Sequence, residues 1–180
     1  MNKQVIIKEF YKLYPIFIIA IVIFWIDQYS KYLVWYFLAP NGKIPKEAII
    51  QIVYSENTGM AFGLLVDQTL FLTIASCIGI IILSVMYYRF GINHWILKLS
   101  FGLQLGGALG NLIDRIRLGY VVDFIKVGLF PVFNIADSSV VVGVILLGFV
   151  ILFTNHKNTT KNKLNVLPSE SQEELYKGDN

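Results

Sequence analysis

Two aspartates stand in one of the most apolar parts of the chain: Asp123 and Asp137, in the stretch YVVDFIKVGLFPVFNIADSSVVVGVILLGF that begins at Tyr120. Asp137 opens a long apolar run, where a helix N-terminus offers free N–H groups and the positive end of a dipole, so taken alone it reads as a helix cap. Asp123 lies between Val122 and Phe124 in a segment of extended character, where no cap accounts for it. The short loop between them can fold back, and aromatic flanks would lower the local dielectric. Two carboxylates brought together in such a place cannot easily both ionise and would share a proton. An aspartyl protease uses that arrangement. The ionised partner takes a proton from water as it attacks a peptide carbonyl, while the protonated partner hydrogen-bonds the carbonyl oxygen and helps protonate the leaving nitrogen. The helix dipole makes Asp137 the candidate base, although such a pair titrates as a unit.

Other polar residues interrupt apolar runs at helical spacing. Asp27 and Lys31 are four apart and share one helix face, where they either pair or leave Lys31 free to snorkel to the membrane surface. Asn111, Asp114 and Arg115 in GNLIDR are three and four apart, so all can point at one spot. A solvated helix end with an ion pair would account for Asp114 and Arg115. Asn111 still needs a partner at or near membrane depth.

The elements that must position these groups are membrane helices. Of 180 residues, 56% are hydrophobic and 15% charged, which does not suit an ordinary water-soluble domain. Four apolar runs, near 16–38, 69–88, 95–113 and 136–154, approach or exceed the roughly 20 helical residues a bilayer requires. The first is too long, and too charged at Asp27 and Lys31, for a cleaved signal peptide. Lys3, Lys8 and Lys12, then Arg89 and Lys98, then Lys157, Lys161 and Lys163 fall on one side of a four-span chain, which predicts cytoplasmic termini. The net charge of +3 reflects this bias rather than a nucleic-acid surface. Between spans, AIIQIVYS and the segments VVDFI and FPVFN read as a small extracytoplasmic β element on the helical bundle. Gly102, Gly106 and Gly110 form a smooth stripe for helix contact. Cys77 reads as a small packing residue. Residues 1–154 read as a single four-helix membrane domain and 155–180 as a flexible polar cytoplasmic tail.

Five motifs then appear in order: WIDQYSK, ENTGMAFG, GGALGNLIDR, VVDFI and FPVFNIADS. Through them the chain resembles lipoprotein signal peptidase, or signal peptidase II, a family of membrane aspartyl endopeptidases. The resemblance covers nearly all of the chain to about Thr154. It implies an α-helical integral membrane protein of the bacterial inner (cytoplasmic) membrane, with the site near the outer face. The implied substrates are diacylglyceryl-modified prolipoproteins, cleaved just before the lipid-modified cysteine. It implies Asp123 and Asp137 as the catalytic dyad, with Asp27, Lys31, Asn57, Gly59, Asn111, Asp114, Arg115 and Asn134 around it. The asparagines would satisfy the substrate backbone, Gly59 would admit its close approach, and no metal or other cofactor is implied. Met60 and Glu56 depart from the usual pattern of the family, and the segment between Asp123 and Phe130 is short. The competing reading is a small proton- or ion-coupled transporter, which would place its charges near the midplane on paired half-helices.

Overall fold

A computed structural model describes the backbone of residues 3–59, 68–90 and 95–166, and the side chains over 13–59, 68–87 and 95–152. Met60, His94 and the final part of the expected tail, 167–180, lie outside the described residues. The elements are α1 (Lys3–Leu38), β1 (Lys43–Ile44), β2 (Ile50–Asn57), α2 (Thr69–Phe90), α3 (Trp95–Leu118), β3 (Val121–Val127) and α4 (Ile135–Val166).

The apolar runs become helices because hydrocarbon offers no partner to backbone N–H and C=O groups. Stretches Leu13–Leu38, Thr69–Tyr87, Trp95–Leu118 and Ile135–Leu152 are each long and apolar enough to cross a membrane. Large apolar side chains such as Trp25, Ile81, Ile145 and Leu152 stand exposed along them, as lipid-facing surfaces require. Cys77 is also exposed, so it does not serve the packing role its small size suggests.

The helices begin and end differently from the apolar runs. α1 starts at Lys3, because the lysines before the run favour helix as well as charge. α3 continues past residue 113 to Leu118, carrying Asp114 and Arg115 on a full further turn. Gly119 follows at a φ of 81°, and its N–H caps the Arg115 carbonyl at 3.2 Å. α4 runs on to Val166, beyond the end of its apolar span.

α3 is the centre of the bundle, packing on α1, α2 and α4. Its glycine stripe faces α1: a Cβ at Gly106 would stand 2.7 Å from the Ala20 carbonyl oxygen, and one at Gly102 2.7 Å from the Ile19 side chain. On the α4 side a buried polar lock accompanies the packing of Leu147 on the Phe101 cluster. Ser100 Oγ donates to the Gly143 carbonyl at 2.7 Å, and Gln104 Nε2 donates to Ser100 Oγ at 3.0 Å.

The strands form one antiparallel sheet in the order β1-β2-β3. Chain connectivity puts it at the end of the bundle where α1 and α3 finish and α4 begins. Register sets Ser55 opposite Asp123 and Asn57 opposite Val121. After β3 the chain turns at Gly128, φ 52°, and returns so that Phe133 pairs with Ile125. That return delivers Asn134 and α4 beside β3.

Close α1–α3 contact is therefore a steric requirement. Gly106→Val should lower the thermal unfolding midpoint in detergent by an amount equivalent to about 1–3 kcal/mol. Gly148→Ala, where an added Cβ meets nothing within 4 Å, should be neutral or slightly stabilising in the same assay.

Candidate active site

The site is built on the first turn of α4. Asn134 is its N-cap: the side-chain Oδ1 accepts the Asp137 N–H at 2.8 Å, and Asp137 Oδ2 accepts the Asn134 N–H at 3.2 Å. This reciprocal pair is a capping box with asparagine and aspartate in its two roles. The Ala136 N–H has no helical acceptor and is met by Asp27 Oδ1 of α1 at 2.9 Å. Asp137 is thus a helix-terminal carboxylate, as its position predicts, and it also belongs to a larger polar cluster.

Asn134, fully buried, carries the cluster across to β3. Its Nδ2 donates to Asp123 Oδ1 at 2.7 Å and to Asn111 Oδ1 at 3.1 Å. Asn111 Nδ2 in turn donates to Asp137 Oδ1 at 2.7 Å. Asn57 Nδ2 donates to Asp123 Oδ2 at 2.8 Å, while its Oδ1 accepts the Gly59 N–H at 2.9 Å. Every carboxylate oxygen of Asp123 and Asp137 accepts a hydrogen bond from an asparagine side chain or backbone. Asp123 is 2% exposed, whereas Asp137 is half-buried and so is the more open of the two. Burial first, and then the neighbouring charge of Asp137, push the Asp123 carboxyl up to about 7, against the opposing donors Asn57 and Asn134 and the charge of Lys31.

Beneath this pair lies a charged layer between α1 and α3. Lys31 Nζ stands 2.7 Å from Asp27 Oδ2 and 2.7 Å from Asp114 Oδ2, and donates to Asn111 Oδ1 at 3.0 Å. The contact with Asp114 Oδ2 is charge alone, since that oxygen accepts no hydrogen bond. Lys31 is only 4% exposed, so it does not snorkel: two carboxylates and an amide hold the ammonium inside. Gly110 makes room for this arrangement, because a Cβ there would fall 2.6 Å from Asp27 Oδ2. The half-buried Arg115 guanidinium reaches the Asn111 carbonyl at 3.4 Å and lies within electrostatic range of Asp137, Asp123 and Asp114.

The family described as Signal peptidase (SPase) II, Peptidase_A8, matches residues 19–153. The chain belongs to the signal peptidase II family. It is 44% identical over 140 residues to the lipoprotein signal peptidase of Caldanaerobacter subterraneus subsp. tengcongensis, covering 77% of this chain and 95% of that one. It is 43% identical over 140 residues to the lipoprotein signal peptidase of Moorella thermoacetica, covering 77% and 93%. Among solved structures it is similar to a bacterial membrane enzyme determined by the in meso method at 2.3 Å resolution. That match has a TM-score of 0.71 and 32% identity, and covers 78% of this chain and 88% of that one. Signal peptidase II is a protease, and the transporter reading falls away. The charges here also gather around the N-terminus of α4.

Within this signal peptidase II fold, the residues singled out by sequence converge on one connected cluster: Asp27, Lys31, Asn57, Gly59, Asn111, Asp114, Arg115, Asp123, Asn134 and Asp137. Each of the three asparagines spends an amide N–H on one of the two aspartates. Sequence reasoning passed over Gln28, whose Nε2 donates to Asp114 Oδ1 at 2.9 Å and to the Gly110 carbonyl at 3.3 Å. Its signal was available, as an amide beside Asp27 in an otherwise apolar run.

Because Lys31 is the counter-charge for two buried carboxylates, Lys31→Met should destabilise the protein by about 3–5 kcal/mol at neutral pH. The double variant Lys31→Met/Asp27→Asn should recover part of that loss. Thermal unfolding of the purified variants in detergent checks both outcomes.

Proposed function

We propose that this enzyme removes the signal peptides of diacylglyceryl-modified prolipoproteins, cleaving just before the lipid-modified cysteine, with Asp123 and Asp137 as its catalytic dyad. The observation that carries the dyad is Asn134, which holds a carboxylate oxygen of Asp123 with its side chain and caps the turn that presents Asp137. The lipoprotein signal peptidases it resembles support the substrate class.

Asp137, on the first turn of α4, accepts from Asn111, and its greater exposure lets water reach it. Asp123, with its carboxyl pushed up to about 7, holds the proton of the dyad. Asp137 takes a proton from the attacking water as the new C–O bond forms, and Asp123 hydrogen-bonds the scissile carbonyl oxygen. Collapse of the tetrahedral intermediate breaks the C–N bond, and a proton from the dyad passes to the leaving nitrogen. The products are the signal peptide carboxylate and the free amine of the lipid-modified cysteine. Arg115 steadies the negative charge near both aspartates, while Asn57 and Asn134 fix the Asp123 carboxyl plane.

The same reading makes residues 1–154 one membrane peptidase unit. The distribution of lysine and arginine supports cytoplasmic termini and a site at the outer face of the membrane. There the signal helix and acyl chains of the substrate can stay in hydrocarbon while water enters beside Asp137.

Asp123→Asn and Asp137→Asn should each lower the cleavage rate of a lipid-modified prolipoprotein by about 10³-fold or more while the protein still inserts into the membrane. Purified variants with such a substrate give the answer. Full turnover by either one contradicts the dyad.

A further inference from the structure

The sheet has a second face that the proposed chemistry does not use. On β2, Asn57 meets Asp123, whereas the side chains of Tyr54 and Glu56 lie together on the side toward α1. Tyr54 packs against the cluster of Val34, Leu38 and Phe124. Beyond it opens a pocket of about 410 Å³ walled by Trp35, Tyr36, Tyr54, Glu56 and Tyr120, with Pro40 at its edge. Four of these side chains are aromatic and one is a carboxylate.

The polar groups in this pocket are ordered but incompletely used. Tyr54 donates its hydroxyl proton to Glu56 Oε1 at 2.8 Å, which leaves Tyr120 to donate to Tyr54 across 3.3 Å. Burial, together with these contacts, pushes the Tyr54 hydroxyl up, so it remains a neutral donor. Glu56 has no ion-pair partner among the described residues, whereas Asp27 and Asp114 share Lys31. An anionic oxygen beside aromatic walls is complementary to an ammonium, which the ring faces attract and the carboxylate accepts as a hydrogen-bond donor.

Position decides where such an ammonium comes from. Trp35 and Tyr36 wall the pocket and are also exposed on the last turns of α1, next to Tyr32 and Phe37. Such a cluster of tryptophan and tyrosine at a helix end marks headgroup depth. The pocket is thus reached sideways from lipid, across β2 from Asp123.

We propose that the Trp35–Tyr36–Tyr54–Glu56–Tyr120 pocket binds the primary ammonium of a membrane lipid headgroup of the phosphatidylethanolamine type. The site is separate from the dyad, and its occupancy is read without any cleavage.

Native mass spectrometry of the full chain released from detergent tests the proposal, with short-chain phosphatidylethanolamine, short-chain phosphatidylglycerol and a trilysine peptide as probes. Wild type should retain phosphatidylethanolamine about fivefold better than phosphatidylglycerol. Glu56→Gln should erase that preference, and Glu56→Lys should reverse it toward the anionic lipid. Both substitutions are at an exposed position, so melting should stay at the wild-type value. Equal retention of the two lipids by wild type, or an unchanged preference in Glu56→Gln, overturns the proposal. Glu56-dependent binding of trilysine without lipid preference also overturns it and makes the pocket a site for a basic peptide.

Discussion

The backbone N–H groups at the head of α4 have no helical acceptors, and the site follows from how the chain satisfies them. Asn134 takes one and Asp27 takes another, reaching over from α1. Placing the Asp27 carboxylate there, fully buried, requires a counter-charge, which Lys31 supplies one helical turn later. Lys31 then draws in Asp114 and Asn111 from α3. Asn111 closes the circuit by donating to Asp137, back on α4. A requirement of helix capping thus becomes a rigid frame for a carboxylate. Removal of any member leaves a polar group without its partner in a place where water does not easily replace it.

The same frame explains why the two proposed catalytic carboxylates differ. Asp137 sits where a helix end favours negative charge, and half of it is open. Asp123 sits on a strand, nearly sealed, facing the charge of its neighbour. A single asparagine, Asn134, serves both, so their separation is set by one side chain and one helical turn rather than by a loop. The β sheet contributes by holding Asp123 in register with Ser55 and by splitting β2 into a face toward the dyad and a face toward α1.

Much of this was legible in the sequence. Apolar length gave the four spans, and β-branched runs between turn residues gave the strands. The break in both patterns at Asp123 marked it as a residue with a purpose beyond packing. The spacing of Asp27 and Lys31 showed that they share a face, and the glycines of α3 foretold a close helix contact. What spacing could not show was partnership across the fold. Lys31 meets Asn111 and Asp114 from more than 75 residues away, so burial of its ammonium was invisible from α1 alone. Gln28 escaped for the same reason, since two of its acceptors lie on α3. Hydropathy records the lipid boundary and not the end of hydrogen bonding, so α1 begins ahead of its apolar run, at Lys3, and α3 continues through its polar end to Leu118.

The central claim is that Asp123 holds a proton near neutral pH because it is buried beside an ionised Asp137. Infrared difference titration of the purified wild type against Asp123→Asn reads this directly, through the carbonyl stretch of a protonated carboxyl group. A raised pKa keeps the group protonated below its folded-state value, so the band should persist under mildly acid conditions and vanish as pH rises through about 7. It should be absent from Asp123→Asn and move to lower pH in Asp137→Asn, where the repelling charge is gone. Asn57→Ala, which removes a donor that favours the carboxylate, should move it higher. A band lost already near the ordinary aspartate pKa of about 4, or one unchanged in Asp123→Asn, contradicts the account.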